Sequence, residues 1–313
     1  MSLARRRFAL FFTLGAVLTI ALASAVPVAA QQPTSALPAR IELPDGIQPE
    51  GIESDVAGNF YVGSLRDGRI WTGNALTGEE STLVEGEAGK VAVGLHLDDL
   101  GRLWVAGGPT MQIRVYDVAT GDLLETYLFP TAGFINDLDI SRNAVYATDS
   151  VNQQLLVIPL EDDGGLPDPS AATTMALTGD LTYSAGFNAN GIAARGGWLV
   201  LVQSNEGLLF KVNPRTGETT QIDTGGYSVA NGDGLELRGD TLYVVRNFDN
   251  LVAVLKLGGG LLSAALLGEI TGDTDVPTTA TLSLGVLWVV NARFSTPLEL
   301  DTPYWITRLP TSP

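Results

Sequence analysis

One short strand pattern recurs six times along the chain. Asn59-Phe-Tyr-Val62, Arg102-Leu-Trp-Val105, Ala144-Val-Tyr-Ala147, Gly197-Trp-Leu-Val200, Thr241-Leu-Tyr-Val244 and Val286-Leu-Trp-Val289 are its versions. A shorter apolar run precedes each copy. A polar turn and a third run follow most, as in Gln112-Ile-Arg-Val-Tyr116 and Leu208-Leu-Phe-Lys-Val212. In three units a matching turn (Thr77-Gly78, Thr120-Gly121, Thr216-Gly217) leads into a fourth. Thr-Gly suits a tight turn that needs a positive φ. Short runs rich in Val, Leu, Ile, Tyr and Trp, broken by Gly, Asp and Asn, read as strands, and no segment carries a 3.6-residue period. Four strands per unit, repeating about every 43 residues, predict an all-β fold. The expectation is one six-bladed β-propeller over residues 41–313, with four-stranded blades around a central channel. Two stacked β domains fit the even spacing less well.

The repeat register singles out one position per unit, where the innermost strand starts beside the channel. Glu50, Val93 and Asn136 follow one another at intervals of 43 residues. Asn190 comes after 54, the excess lying in a Gly/Pro/Asp-rich loop at 162–180, and Asp233 after a further 43. Pro277 or Thr278 marks the sixth unit. The residue two later is Ile or Leu in the five units that read clearly, as packing between blades requires. The anchors themselves are polar in four units, which a purely structural repeat does not demand. Glu50, Asn136, Asn190 and Asp233 offer oxygen donors only, and two facing carboxylates without a counter-charge are costly to bury. A divalent cation would resolve that cost. Hard oxygen donors favour Ca²⁺ over zinc or copper, and over the smaller octahedral Mg²⁺. The alternative on the residues alone is a set of polar groups lining a water-filled channel.

Composition narrows the chemistry. With 18 Lys+Arg against 35 Asp+Glu the formal charge is −17, a poor match to a nucleic-acid backbone. Cysteine is absent, so there is no disulfide, thiolate metal site or Cys nucleophile. The single histidine, His96, excludes sites built on two imidazoles. His96 sits three residues after its anchor, where other units carry Glu53, Asp139, Ala193, Glu236 and Ala280 or Thr281. That register makes it a channel-face residue rather than a catalytic base. Gly258–Gly260 lacks the lysine of a phosphate loop, and Ser184-Ala-Gly lacks a nucleophile elbow.

Residues 1–30 read as a signal peptide. Arg5–Arg7 form a positive start, Phe8–Val26 an apolar run, and Val28-Ala29-Ala30 a small-residue cleavage site. The double arginine leaves both the general and the twin-arginine export routes open, and the apolar run is long enough to serve instead as an uncleaved anchor. Residues 31–40 form a lead-in. A secreted or periplasmic protein with no membrane attachment after cleavage is the expectation.

The four anchors, in order, resemble those of the calcium-dependent six-bladed propeller hydrolases. These comprise the regucalcin/gluconolactonase family, diisopropyl fluorophosphatase and, more distantly, the paraoxonases; strictosidine-synthase-like proteins share the architecture. The resemblance covers residues 41–310 and rests on Pro49-Glu-Gly, Ile135-Asn-Asp-Leu, Ala189-Asn-Gly-Ile and Gly232-Asp-Gly-Leu. It implies that Glu50, Asn136, Asn190 and Asp233 hold a catalytic Ca²⁺ and that the chain hydrolyses a lactone or ester. Asp233 would be base or nucleophile, and Asn136 would orient the substrate oxygen. Asp137 is read either as facing a second, structural Ca²⁺ or as a solvated turn residue. Blade six offers Pro277-Thr278-Thr279 and no histidine, unlike diisopropyl fluorophosphatase, so phosphotriester chemistry is not expected. Arg246 and Arg293, with Phe248 and Phe294, are expected on the pocket rim, the arginines either clamping an anionic substrate group or pairing with neighbouring acids. The expected partner is a small molecule, and a monomer is expected. A non-catalytic binding propeller with a structural Ca²⁺ is the second reading.

Overall fold

The computed structural model describes residues 37–141, 143–161 and 163–313. The expected signal peptide at 1–30 and most of the lead-in lie outside them. From Arg40 onward the described residues are strands and turns, with two single 3₁₀ turns and no α-helix.

The strands assemble into six sheets, antiparallel but for one short parallel pair. The inner four strands of blades one to five begin at Pro49, Leu95, Ile135, Ala189 and Gly232 and run outward in chain order. Blade six is closed by the start of the fold. Arg40–Leu43 pairs with Tyr304–Leu309 as the outermost strand beyond Val286–Asn291 and Pro277–Ser283. Leu37 is already buried against this blade, so ordered packing begins within the segment expected as a lead-in. The long loop after blade three also does more than its composition suggests. Thr173–Ala176 supplies that blade's fourth strand, and Thr178–Gly179 pairs in parallel with Glu218–Gln221 as a fifth strand of blade four.

The six repeated tetrapeptides lie in the second strands, which are the most buried elements. Every residue of Arg102–Ala106, Ala144–Asp149 and Val286–Asn291 is buried. Apart from the exposed Trp198, their Val, Leu, Tyr and Trp side chains pack between neighbouring sheets. Trp104, Val115 and Tyr127 of blade two, for instance, share one core with Val145, Leu156 and Ile158 of blade three. The Thr-Gly turns have the expected left-handed glycines, with φ of 73° at Gly78, 78° at Gly121 and 72° at Gly217. Each turn is pinned by an amide or carboxylate at its head, as where Asn74 Oδ1 accepts from the backbone N–H groups of Leu76 and Thr77.

The innermost strands of every blade but the second share one irregularity. Strand pairing shifts between Pro49 and Ile52, Ile135 and Leu138, Ala189 and Ile192, Gly232 and Leu235, and Pro277 and Ala280. Each shift is a β-bulge at the anchor position, and a bulge re-aims the side chain it contains. It also fixes Thr278 as the sixth anchor. The residue after the anchor is glycine in four blades, because there the strands of adjacent blades touch backbone to backbone. A Cβ on Gly51 would lie 2.2 Å from Val93 O, and one on Gly191 2.3 Å from Asp233 O. Blades three and six break this pattern with Asp137 and Thr279.

Candidate functional site

The bulges bring Glu50, Asn136, Asn190 and Asp233 to one mouth of the channel. Their exposures are 6%, 5%, 6% and 4%. All four line a single cavity of about 310 Å³ together with Val93, the anchor of blade two. Thr278, the anchor of blade six, instead donates to the Glu50 carbonyl at 2.6 Å and links the last blade to the first.

The polar atoms here are unevenly satisfied. Glu50 Oε2 and Asn190 Oδ1 are buried with no hydrogen-bond partner. Asp233 Oδ2 accepts from Asn247 Nδ2 at 2.7 Å, and the Asn190 side chain also hydrogen-bonds the Asp233 carboxylate. Asn136 Nδ2 donates to Ser150 Oγ at 2.9 Å. Burial, followed by repulsion from Asp233 and Asp137, holds the Glu50 carboxyl well above the usual range. Burial pushes Asp233 up to about 7 against the opposing effect of its two amide donors. The site therefore gathers buried oxygens with net negative charge and lacks a positive partner.

Among the described residues no three His, Cys, Asp or Glu side chains group so as to hold a metal ion. A cation at this mouth would depend on the two asparagine amides as well as the two carboxylates. The donor set fits a hard divalent cation. Two carboxylates and two amide oxygens, two of these atoms without any other partner, are what Ca²⁺ accepts and what zinc or copper does not favour.

Above the oxygens the cavity is apolar. Leu65, Val93, Phe134, Phe187, Phe248 and Phe294 form its wall. Phe134 and Phe187 meet edge to face, with ring centroids 5.1 Å apart. Phe248 and Phe294 thus lie where the sequence places them. Arg246 and Arg293 do not line the cavity. Arg246 bonds Asp249 at 2.7 Å, the Ala230 carbonyl and the Tyr227 hydroxyl. Arg293 bonds Asp275 at 2.8 Å and the Pro303 carbonyl.

His96 stands at the other end of the channel. A second cavity there, of about 300 Å³, is lined by Glu53, His96, Asp137, Asp139, Glu236 and Thr281 among others. His96 lies 3.5 Å from Glu53 and 3.4 Å from Asp139. Asp137 bonds the backbone N–H groups of Leu138 and Ile192, and burial pushes it up to about 7. Ser150, Ser204 and Asn247 back the anchors; the repeat register places their turns on the pocket rim but does not single out these three residues. The signal available was their spacing, fourteen residues after Asn136, Asn190 and Asp233 respectively.

Residues 38–72 match the family model described as strictosidine synthase-like, N-terminal. That segment spans the closing strand, the Glu50 bulge and the start of blade one. No curated protein sequence matches the chain significantly. Solved structures resemble it over most of its length at low identity. The major allergen Mala s 1 of Malassezia sympodialis aligns with a TM-score of 0.64 and 14% identity, covering 88% of this chain and 97% of that one. Virginiamycin B lyase of Staphylococcus aureus aligns with a TM-score of 0.59 and 13% identity, covering 86% and 98%. The Cps50 (Swd1) β-propeller domain of Myceliophteria thermophila gives 0.60 and 11%, covering 85% and 98%. These likenesses show the propeller fold.

Proposed function

We propose that the chain is an exported Ca²⁺-dependent hydrolase of lactone or ester substrates, working at the mouth formed by Glu50, Asn136, Asn190 and Asp233. The observation that carries this reading is the pair of orphaned buried acceptors, Glu50 Oε2 and Asn190 Oδ1, in a site of excess negative charge. Buried polar groups without partners are costly, and natural sites keep them where something binds. The basic-then-apolar pattern of residues 1–30 supports export.

A bound Ca²⁺ would act as a Lewis acid on the substrate carbonyl. Glu50, Asn136, Asn190 and Asp233 would hold it. Asp233, held by Asn247, would take the proton of the attacking water at its carboxylate, or attack the carbonyl itself, expelling the ester or ring oxygen and leaving an acyl group for water to remove. The phenylalanine wall would bind the apolar part of a small-molecule substrate and keep bulk water from the reacting face. The cavity's own charges are carboxylates, so an uncharged substrate suits it better than an anionic one.

Calcium titration by calorimetry, followed by a panel of lactones and aryl esters with and without chelator, tests the reading. Calcium-dependent turnover lost in Asp233→Ala is expected. Activity indifferent to chelation, or retained in full by that variant, would overturn the mechanism. A non-catalytic binding propeller is the second reading. It is favoured by the position of His96, which leaves no imidazole at this mouth. It predicts a calcium-dependent rise in melting temperature and no turnover on any of these substrates.

A further inference from the structure

The residue standing three positions after the partner of each inner-strand Ile, Leu or Ala faces the anchor from the second strand's end. Across blades one to six that residue is Leu65, Gly108, Ser150, Ser204, Asn247 and Ala292. It is polar in blades three, four and five, whose anchors are Asn136, Asn190 and Asp233. It is apolar or glycine where the anchor is Glu50, Val93 or Thr278. The six repeats thus compare one position against another within a single chain, and the polar pair occurs together in three of them.

Two of these backing residues fix the direction of an amide. Ser150 Oγ donates its only hydrogen to the Ala189 carbonyl at 2.6 Å. Toward Asn136 it can therefore only accept, and it takes Asn136 Nδ2 at 2.9 Å. The Asn136 amide is locked with its nitrogen to Ser150 and its oxygen turned away. Asn247 is locked in the same manner. Its Oδ1 accepts from the Phe248 backbone N–H at 2.7 Å, so its Nδ2 must be the atom that meets Asp233 Oδ2. Both locking residues are buried, at 0% exposure for Ser150 and 7% for Asn247.

We propose that Ser150 and Asn247 are positioning residues that make this mouth an oxygen site, by turning the Asn136 amide oxygen toward a cation and fixing the rotation of the Asp233 carboxylate beside it. This rests on the calcium reading above. Without Ser150 the Asn136 amide is free to flip and present an N–H group, which repels a cation. Without Asn247 the Asp233 carboxylate loses the donor that sets its rotation. Outer partners of this kind orient a site's donors and are worth roughly 10–100-fold in metal affinity.

The test is calcium calorimetry on Ser150→Ala, Ser150→Thr and Asn247→Ala, with metal-free melting temperatures measured alongside. The expected result is a Ca²⁺ Kd raised roughly 10–100-fold in both alanine variants. Ser150→Thr, which keeps the hydroxyl, stays close to wild type. For any lactone or ester that is turned over, kcat falls more than KM rises. A purely structural role would lower the metal-free melting temperature and leave the Ca²⁺ Kd of the folded protein unchanged, and that outcome overturns the proposal. Wild-type protein that binds no calcium overturns the underlying reading, and this inference with it. Wild-type binding that neither alanine variant weakens overturns this inference alone.

Discussion

His96 Nδ1 stands 3.5 Å from Glu53 Oε2, an ion pair that joins blades one and two at the end of the channel remote from the anchors. Asp139 flanks the same ring at 3.4 Å from blade three. Glu53 also accepts from Thr281 of blade six at 3.0 Å, and Asp139 from the Ala194 N–H of blade four at 2.7 Å. A belt of contacts therefore runs across five blades, with the imidazole inside it.

This belt sets the pH dependence of the metal-free protein. Burial lowers the His96 pKa, but Asp139, Glu53, Asp137 and Asp98 together raise it, and the net shift is upward. A raised value means the folded protein holds the proton more tightly than the unfolded chain. The stabilisation is full below the ordinary value of about 6.5 and is lost as pH rises through the raised one. Burial raises Glu53 and Glu236 as well, so their ionisation costs stability in the same direction. Urea unfolding in chelator should show stability falling from pH 6 to pH 9. The deficit of His96→Gln relative to wild type, on the order of 1 kcal/mol for a partly exposed ion pair, should be greatest near pH 6 and shrink toward pH 9. A deficit that grows with pH would contradict this account.

Asp233→Asn should separate metal affinity from fold stability. The carboxylate is pushed up to about 7 by burial, so the metal-free protein loses stability as pH rises through that value. The amide removes that cost and the repulsion it exerts on Glu50. At pH 8 in chelator the variant should be more stable than wild type by about 1–3 kcal/mol, the scale of one uncompensated buried polar group. In calcium the order should reverse. A variant less stable than wild type in chelator would show that Asp233 is well satisfied without a cation.

The propeller and its anchors were legible because both are repeat properties. Six copies of one strand set the blade number, and the period then located Glu50, Asn136, Asn190 and Asp233 without any motif. Thr278 stayed ambiguous with Pro277, because only the bulge in the strand pairing decides which of them is the anchor. The turns that hold Ser150 and Asn247 were readable as parts of the rim, but not their bonds to the anchors, since Ser and Asn at strand ends are ordinary turn formers. For Arg246 and Arg293 the sequence left two alternatives, an anionic substrate group or a neighbouring acid, and the structure has each paired with an acid. Asp249 is three residues from Arg246, but Asp275 is eighteen from Arg293, and the carbonyls of Ala230 and Pro303 that complete each contact come from other turns.

Gly191 joins the fold to the site. A Cβ there would stand 2.3 Å from the Asp233 carbonyl oxygen and 2.7 Å from Leu235 N. Both contacts are backbone atoms of the next blade and cannot rotate away. Gly191→Ala should therefore destabilise the protein by about 1–3 kcal/mol, the usual cost of overpacking. It should also weaken calcium binding, because the strand that must move carries Asp233. Gly259→Ala is the control, since nothing lies within 4 Å of its Cβ position and its φ is not left-handed. Equal behaviour of the two variants in urea unfolding would remove the close approach as a cause.

Phe248 offers the cleanest test of the apolar wall. It lines the cavity yet is 55% exposed, so Phe248→Ala should leave the melting temperature nearly unchanged. Its ring would lie against the apolar part of a bound substrate, and an aromatic contact contributes about 0.5–1.5 kcal/mol. The expected effect is a KM raised roughly two- to tenfold for an aryl ester, the same free energy expressed as a ratio. kcat should change little, because the contact is present in the ground state as well as in the transition state. For a short acyl substrate that cannot reach the wall, KM should not move. Equal losses on long and short substrates would place Phe248 in the framework of the mouth rather than in the binding of its ligand.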